Sequence, residues 1–163
     1  NLGIEFVYRN HEIPYDDKVK ETVKLITQIG YKVDSIKNGD DPHVIQRIID
    51  SLSTKEEFFI LSSLLLRSMQ KAYFSTENKG HYGLALNAYS QTTSPIRRLM
   101  DLIIEYILDD LDKILDGTIN MDELKSTLNS LCQRASIMEH CADKAEYESN
   151  KLNMIDYVLK HQA

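Results

Sequence analysis

Apolar residues recur every three or four positions along most of the chain, which is the spacing of one helix face and predicts a mostly helical protein. The first such pattern follows Asp16, a candidate N-cap, and stops at Gly30, a residue typical of helix ends. The second follows Asp41-Pro42, an N-cap with proline at the first helical position. In front of the third, Thr54 and Glu57 have the spacing of a capping box.

The last part of the chain carries two further helical patterns. Ser94-Pro95 suits an N-cap followed by proline, and the helix that begins there is predicted to run to about Asp110. Asn120 and Glu123 form another capping pair. Apolar residues then follow at intervals of three, four or seven from 124 to 152. They predict one helix of roughly 40 residues and about 60 Å, either continuous or broken in two.

Two segments have the composition or alternation of β-strands. Residues 4–9 are rich in β-branched and aromatic types. Residues 81–89 alternate between a face that includes Tyr82 and a face of small residues framed by His81 and Tyr89. Small residues on a strand let another group approach the backbone closely. The predicted fold class is α+β and mostly α, with a few strands and about five or six helices that include the long C-terminal one.

Composition excludes several classes of protein. The 163 residues suffice for one domain with a hydrophobic core, and 42% of them are hydrophobic. No run of about 18 apolar residues predicts a membrane span, and no signal-peptide pattern opens the chain. Cys132 and Cys141 would lie roughly 13 Å apart on a helix, too far for a disulfide, and lack zinc-site spacing. Free thiols in a cytoplasmic protein with no membrane partner are expected.

The net charge of -6 argues against indiscriminate nucleic-acid binding, but one segment departs from this average. Although the chain has 25 acidic residues, none of them lies between 78 and 100. The charged residues of that segment are Lys79, Arg97 and Arg98. This distribution predicts an anion-facing surface.

The most informative short stretch is 93–98, Thr-Ser-Pro-Ile-Arg-Arg. If a helix begins at Ser94, Arg97 and Arg98 fall in its first turn. There the macrodipole disfavours cations by about 0.3–1 kcal/mol each, while free backbone N–H groups attract an anion. Two guanidiniums at that place suit a phosphate, which they contact as planar forks. The alternative is that Asp101 neutralises them, although one carboxylate suits one arginine better than two.

Three parts of the sequence together resemble the ribonuclease II/R (RNB) family. Residues 80–89, Gly-His-Tyr-Gly-Leu-Ala-Leu-Asn-Ala-Tyr, with 93–98 and Asp101-Leu102, are similar to its long, gapless signature. Residues 6–14 and 136–146 are similar to two further family segments, so the resemblance spans nearly the whole chain. The family hydrolyses single-stranded RNA from the 3′ end and releases nucleoside monophosphates, with Mg²⁺ activating the attacking water. The resemblance therefore implies an RNA-degrading hydrolase.

The resemblance also implies roles for individual residues. Arg97 matches the family's catalytic arginine, which binds the scissile phosphate and its developing charge. Arg98 is expected to contact a neighbouring phosphate or to hold Asp101, and Glu139 matches a glutamate near the 3′-terminal nucleotides. Three further positions match places close to the RNA path: His81, Tyr89 and Ser94.

The sequence departs from the family in two ways. The family's Mg²⁺ ligands are clustered aspartates upstream of the matched segments, and they have no counterpart here. The chain, 1–163, is therefore expected to be the C-terminal half of an RNB catalytic domain, inefficient without its N-terminal half and without metal ligands of its own. In addition, Gln91-Thr92, Leu99 and Glu105-Tyr106 stand where the family has aromatic or basic residues.

Two alternatives to hydrolysis fit the same sequence. A diverged half-domain would hold single-stranded RNA without cutting it, or the long C-terminal helix would serve as a docking surface for another protein. Salt separates them, because binding to phosphates weakens steeply as salt rises and apolar docking does not.

Overall fold

A computed structural model describes residues 3–31 and 41–161. The elements in chain order are β1 (Tyr8–Asn10), α1 (Asp16–Gln28), α2 (Pro42–Leu52), α3 (Phe58–Arg67), β2 (Tyr73–Ser75), a 3₁₀ turn (Tyr82–Leu84), α4 (Leu99–Asp109), α5 (Leu111–Leu115) and α6 (Met121–His161). The two strands pair in one sheet. The predicted mostly α, α+β class is confirmed, and α6 is one continuous helix of 41 residues. The strand predicted at 4–9 is wrong for most of its length, because Ile4, Phe6 and Val7 pack against a hydrophobic core instead.

The described residues form two compact units, each with its own hydrophobic core. The C-terminal unit comprises residues 3–7, 74–76 and 91–161, and the N-terminal unit comprises 8–31, 41–73 and 77–90.

Helices α4 and α6 supply most of the core of the C-terminal unit. Met100, Ile104 and Ile107 recur along one face of α4 and cluster with Leu128 and Cys132 from the first half of α6. The other buried residues of this core are Val7, Phe74 and Ile114. Burying one such aliphatic side chain contributes roughly 1.5–3 kcal/mol, so these contacts fix the start of α4 against α6.

Helix α6 starts at the predicted cap and leaves the core in its second half. The Asn120 side-chain oxygen accepts the backbone N–H groups of Asp122 and Glu123 at 2.9 and 3.3 Å, which confirms the N-cap. Every residue from 140 to 161 is exposed. Within the described residues, no helix combines the length and hydropathy that crossing a bilayer demands.

The core of the N-terminal unit is built by α1, α2 and α3. Its buried residues are Val19, Ile26, Ile45, Ile48, Leu52, Leu61, Leu65 and Tyr82. Asp41 is the N-cap of α2, as predicted, and its carboxylate accepts the backbone N–H of His43 at 2.9 Å. Gly30 follows the end of α1, as predicted, and has a φ of 104°.

Two predicted helix caps are wrong. Helix α1 includes Asp16 as its first residue, and its N-cap is Tyr15, which makes no capping hydrogen bond. The N-cap of α3 is Glu57, again without a capping hydrogen bond, so the predicted pairing with Thr54 is absent. The Glu57 carboxylate instead accepts the hydroxyl of Tyr31, and this bond draws it away from the helix start.

The strand predicted at 81–89 is also wrong. Tyr82 begins a three-residue 3₁₀ turn, and Ala85 has a left-handed φ of 54°. The backbone N–H of His81 donates to the carbonyl of Leu86 at 2.8 Å and closes this reversal. Tyr82 is buried and Leu86 is exposed, although both fall on the same face of the predicted strand. The alternation in the sequence therefore reflects a tight turn anchored by one tyrosine.

Helix α4 begins at Leu99, so its N-cap is Arg98 rather than Ser94. Residues 94–97 form a turn in which the backbone N–H groups of Arg97 and Arg98 donate to the Ser94 carbonyl at 3.2 and 3.0 Å. The Asp101 carboxylate accepts the Ser94 N–H at 2.8 Å and holds this turn against the start of α4. The prediction that both arginines lie in the first helical turn is wrong, and the helix dipole gives no support to a phosphate site at Arg97.

Candidate nucleic-acid interface

A pocket of about 260 Å³ opens between the start of α4 and the middle of α6 in the C-terminal unit. It is lined by Phe74, Arg97, Arg98, Leu99, Met100, Arg134, Ala135, Met138, Glu139 and Ala142. Six of these residues are apolar, and the charged ones are three arginines and one glutamate. The α6 members recur every three or four residues, so they share one face of that helix. We call this cavity the α4–α6 pocket.

Arg98 is fixed by Asp101. Its Nε and Nη2 donate to the same Asp101 carboxylate oxygen, Oδ2, at 3.0 and 2.7 Å, and Nη2 also donates to the Thr93 hydroxyl at 2.9 Å. Asp101 is fully buried. A buried carboxylate requires a charged or hydrogen-bonding partner, and here the guanidinium of Arg98 and the Ser94 N–H supply it. The sequence left Arg98 to contact a neighbouring phosphate or to hold Asp101, and in the structure it contacts Asp101.

Unlike Arg98, Arg97 and Arg134 have no carboxylate partner in the described structure. Within the described residues, neither side chain forms a hydrogen bond or an ion pair. Both are exposed to solvent at the pocket. An arginine side chain without a protein partner can turn its planar fork of N–H donors toward an oxyanion. The α4–α6 pocket therefore carries two guanidiniums that are available to a phosphate.

Glu139 brings the carboxylate of the pocket and is half-buried on α6. A carboxylate accepts hydrogen bonds and repels phosphate, so it suits hydroxyl donors such as those of a ribose. The sequence resemblance gave Arg97 and Glu139 separate roles on the RNA path, and both line the same cavity in the structure. It did not identify Arg134. The signal was available, because Arg134 lies one helical turn before Met138, on the face of α6 that includes Glu139.

The remaining predicted site residues lie elsewhere. The backbone N–H of Ser94 is bound to Asp101, and Ser94 does not line the pocket. His81 and Tyr89 belong to the N-terminal unit, where their rings meet edge to face with centroids 5.0 Å apart. The Tyr89 carbonyl accepts the backbone N–H of Arg9 at 2.8 Å, which ties this segment to β1.

His11 holds the turn that contains His81. Its Nδ1 accepts the backbone N–H of Gly83 at 2.9 Å, so the proton of the neutral ring is on Nε2, which donates to the Gln70 carbonyl at 2.8 Å. The His81 ring lies 5.1 Å from that of His11, centroid to centroid. His81 Nδ1 is buried and has no hydrogen-bond partner within the described residues. Burial and the neighbouring His11 lower the pKa of His81 below its ordinary value of 6.5.

The model of the RNB domain family matches residues 1–113. The chain belongs to the RNB domain family. The match contains the segment from His11 to Asp101, and therefore the turn held by His11 and the Arg98–Asp101 pair.

Relatives of this RNB chain carry the name ribonuclease R. Ribonuclease R 1 of Lactococcus lactis is 30% identical over 98% of this chain and 20% of its own length. Ribonuclease R of Aquifex aeolicus is 35% identical over 97% of this chain and 21% of its own length. Mycoplasma genitalium RNase R, solved in complex with ribose methylated single-stranded RNA, has the same fold, with a TM-score of 0.81 and 23% identity over 96% of this chain and 25% of that one. The RNB chain thus spans about a fifth to a quarter of the length of these proteins.

One of the three departures from the RNB signature reaches the pocket. Leu99 lines it beside Arg98, so an aliphatic side chain stands where the signature has an aromatic ring. Gln91-Thr92 and Glu105-Tyr106 do not line the α4–α6 pocket.

The pocket of this RNB chain does not suit a magnesium ion. Mg²⁺ takes six oxygen ligands at 2.0–2.1 Å and is usually held through one or two carboxylates, whereas this pocket offers one carboxylate among three guanidiniums. Residues 3–31 and 41–161 contain no group of three or more His, Cys, Asp or Glu side chains placed to hold a metal ion. Asp40, part of one acidic pair in the sequence, lies outside the described residues.

Proposed function

We propose that this chain forms part of a 3′→5′ exoribonuclease that hydrolyses single-stranded RNA to nucleoside monophosphates. The observation that carries the proposal is the meeting of Arg97 and Glu139 in the α4–α6 pocket, with the guanidinium of Arg97 unpaired within the described residues. Membership of the RNB family and the ribonuclease R name of its relatives support it. The RNA complex of the Mycoplasma genitalium protein supports single-stranded RNA as the partner.

In this proposal, Arg97 binds the scissile phosphate. Charge develops on the phosphate oxygens in the transition state, and a guanidinium held at that place stabilises them. The neighbouring turn is fixed by the hydrogen bonds from Arg97 and Arg98 to the Ser94 carbonyl. The backbone that carries Arg97 is therefore ordered before the RNA arrives, and less entropy is lost on binding.

The other site residues have supporting roles. Arg98 positions the turn through Asp101 and leaves the phosphate to Arg97. Glu139 accepts hydrogen bonds from ribose hydroxyls near the 3′ end, which fits its place among apolar side chains that would contact the sugar or base. His81 and Tyr89 offer rings for contact with the RNA path in the N-terminal unit.

The metal chemistry belongs to another part of the protein. We assign the Mg²⁺ ligands to the N-terminal half of the RNB domain, because the α4–α6 pocket is rich in guanidinium groups and poor in carboxylates. The 163-residue chain alone is then inactive, and it acquires activity only with that half.

A gel assay tests the proposal. Single-stranded RNA labelled at its 5′ end is incubated with the purified chain and Mg²⁺, alone and with the N-terminal half of an RNB domain added as a second polypeptide. We expect intact RNA in the first case and shortening from the 3′ end in the second. Shortening by the chain alone that a chelator abolishes would contradict the assignment of the metal site. In the reconstituted reaction, Arg97→Lys tests whether the arginine fork is required.

Binding of RNA without hydrolysis is the second candidate. It is favoured by Leu99, because a nucleotide that has no aromatic ring to stack on at the pocket is positioned less strictly for hydrolysis, while the phosphate contact of Arg97 needs no ring. The same gel distinguishes the two functions. Intact RNA in the reconstituted reaction, together with retained binding, would select the second.

A further inference from the structure

We infer that Arg134 is the second phosphate ligand of the α4–α6 pocket, so that the pocket binds two successive phosphates of one RNA strand through Arg97 and Arg134. The inference rests on the proposed function and deepens it. The resemblance left Arg98 either to contact a neighbouring phosphate or to hold Asp101, and its guanidinium is held by Asp101 at 2.7 Å. Arg134 had no assigned role.

The charges of the pocket support this assignment. Arg98 is neutralised by the buried Asp101. Of the other charged residues that line the pocket, Arg97 and Glu139 have opposite formal charges that sum to zero. Arg134 makes the pocket net positive. An RNA strand, which carries one negative charge per phosphate, is attracted only in that case.

The position of Arg134 on α6 also suits the role. Its neighbours on the same helix face, Ala135 and Met138, line the apolar part of the cavity, while Arg134 itself is exposed. The stem of an arginine packs along apolar surface while its guanidinium stays in water. A sugar or base can therefore contact the apolar walls as its phosphate meets the fork of Arg134.

A cavity of about 260 Å³ is slightly smaller than the pockets that enclose whole drug-sized ligands, roughly 300–1,000 Å³. It suits one nucleotide unit, with the phosphates on its two sides reaching the rim. Arg97 and Arg134, which are both exposed among the lining residues, then fix the register of the strand, as well as its affinity.

The test is the salt dependence of binding to a fluorescent single-stranded oligouridylate. Each phosphate neutralised on a single strand contributes about −0.7 to the slope of log K against log salt. We expect Arg134→Met to reduce the magnitude of the slope by about 0.7 relative to wild type and to weaken binding about tenfold at low salt. Arg134→Lys should keep the slope, because it keeps the charge, and lose part of the affinity, because it loses the fork.

The matched control is Arg67→Met, which removes the same charge from an exposed arginine at the end of α3. It should leave slope and affinity close to wild type. If Arg134→Met behaves like this control while Arg97→Met lowers the slope, the inference fails and the proposed function stands. If the wild-type chain shows no salt-dependent binding, or Arg97→Met has no effect, the proposed function fails as well. Circular dichroism of each variant verifies that it is folded.

Discussion

Arg98 and Asp101 form an ion pair at the start of α4 in which Nε and Nη2 of the arginine donate to one buried carboxylate oxygen at 3.0 and 2.7 Å. The second oxygen, Oδ1, is buried and has no hydrogen-bond partner within the described residues. The burial is unequal, because the Asp101 side chain is fully buried and that of Arg98 is 24% exposed. The pair therefore fixes the Ser94 turn, which includes the backbone of Arg97. The energetic cost is the desolvation of one carboxylate.

This pair predicts opposite outcomes for two adjacent arginines. Arg98→Met leaves the Asp101 carboxylate buried without its cation, and we expect a loss of about 3 kcal/mol in the free energy of unfolding. Arg97→Met removes an exposed side chain that has no partner in the described structure, and we expect a change within about 0.5 kcal/mol. Urea denaturation of both variants measures the difference. Equal losses would show that the ion pair does not stabilise this region.

The contact between Gly83 and His11 predicts a steric effect. A Cβ on Gly83 would lie 2.7 Å from His11 Nδ1 and 2.9 Å from its Cε1. The imidazole is held by the Gln70 carbonyl at 2.8 Å and cannot move away freely. We expect Gly83→Ala to cost about 1–3 kcal/mol, measured as a lower denaturation midpoint of the N-terminal unit.

A double-mutant cycle supplies the control for Gly83→Ala. His11→Ala removes the ring that the new methyl group meets. The loss from Gly83→Ala should therefore shrink in the His11→Ala background. Additive losses would contradict the steric explanation.

The histidine cluster predicts loss of stability in acid. Burial, reinforced by His11, lowers the pKa of His81 below 6.5. The folded state therefore holds fewer protons than the unfolded state once the pH drops below that value. The contribution of His81 to stability is present above about pH 6.5 and is lost as the pH falls through its folded pKa.

His81→Phe keeps a ring against His11 and Tyr89 and removes the titrating group. Its denaturation midpoint should fall less than that of the wild type between about pH 7.5 and pH 5.5. Other groups titrate in both proteins and cancel in the comparison. Parallel curves for the two proteins would refute the role of His81.

The two cysteines predict a contrast in reactivity. Cys132 is buried in the core of the C-terminal unit, where burial raises its pKa to about 11, while Cys141 is exposed on α6. The thiolate is the reactive species. A chromogenic disulfide reagent near pH 8 should therefore modify Cys141 quickly and Cys132 only on unfolding. Cys141→Ser should abolish the fast phase. A fast phase that survives in this variant would place Cys132 at the surface.

Local periodicity predicted the helices well and the strands poorly. The stripe that includes Val19 and Ile26 packs as predicted, because a helix face is defined by residues within the same segment. The alternation at 81–89 was misleading, since the conformation there depends on His11, which lies far away in the sequence and binds Gly83. The start of α4 was misplaced for a related reason. Ser94 begins a turn, but Arg98 has an extended backbone, with φ of −121° and ψ of 111°, while its side chain is bound to Asp101, and local capping preferences do not include that contact.

Some residues of the candidate site could be predicted from the sequence, and others required the structure. Two separate segments of the resemblance identified Arg97 and Glu139, which line one pocket, and left two options open for Arg98. Only the structure shows that Asp101 is fully buried and therefore holds Arg98. Arg134 lies outside the segments that resemble the family. It was therefore identified only because it lies on the face of α6 that lines the pocket.

The most direct test of the central claim is the affinity of the wild-type chain and of Arg97→Lys for a fluorescent single-stranded RNA at low salt. Lysine keeps the charge and loses the planar fork, so we expect binding to weaken about tenfold, or about 1.4 kcal/mol. Arg67→Lys, a substitution of an exposed arginine that does not line the pocket, should bind like the wild type. If Arg97→Lys also binds like the wild type, Arg97 does not hold a phosphate in the α4–α6 pocket.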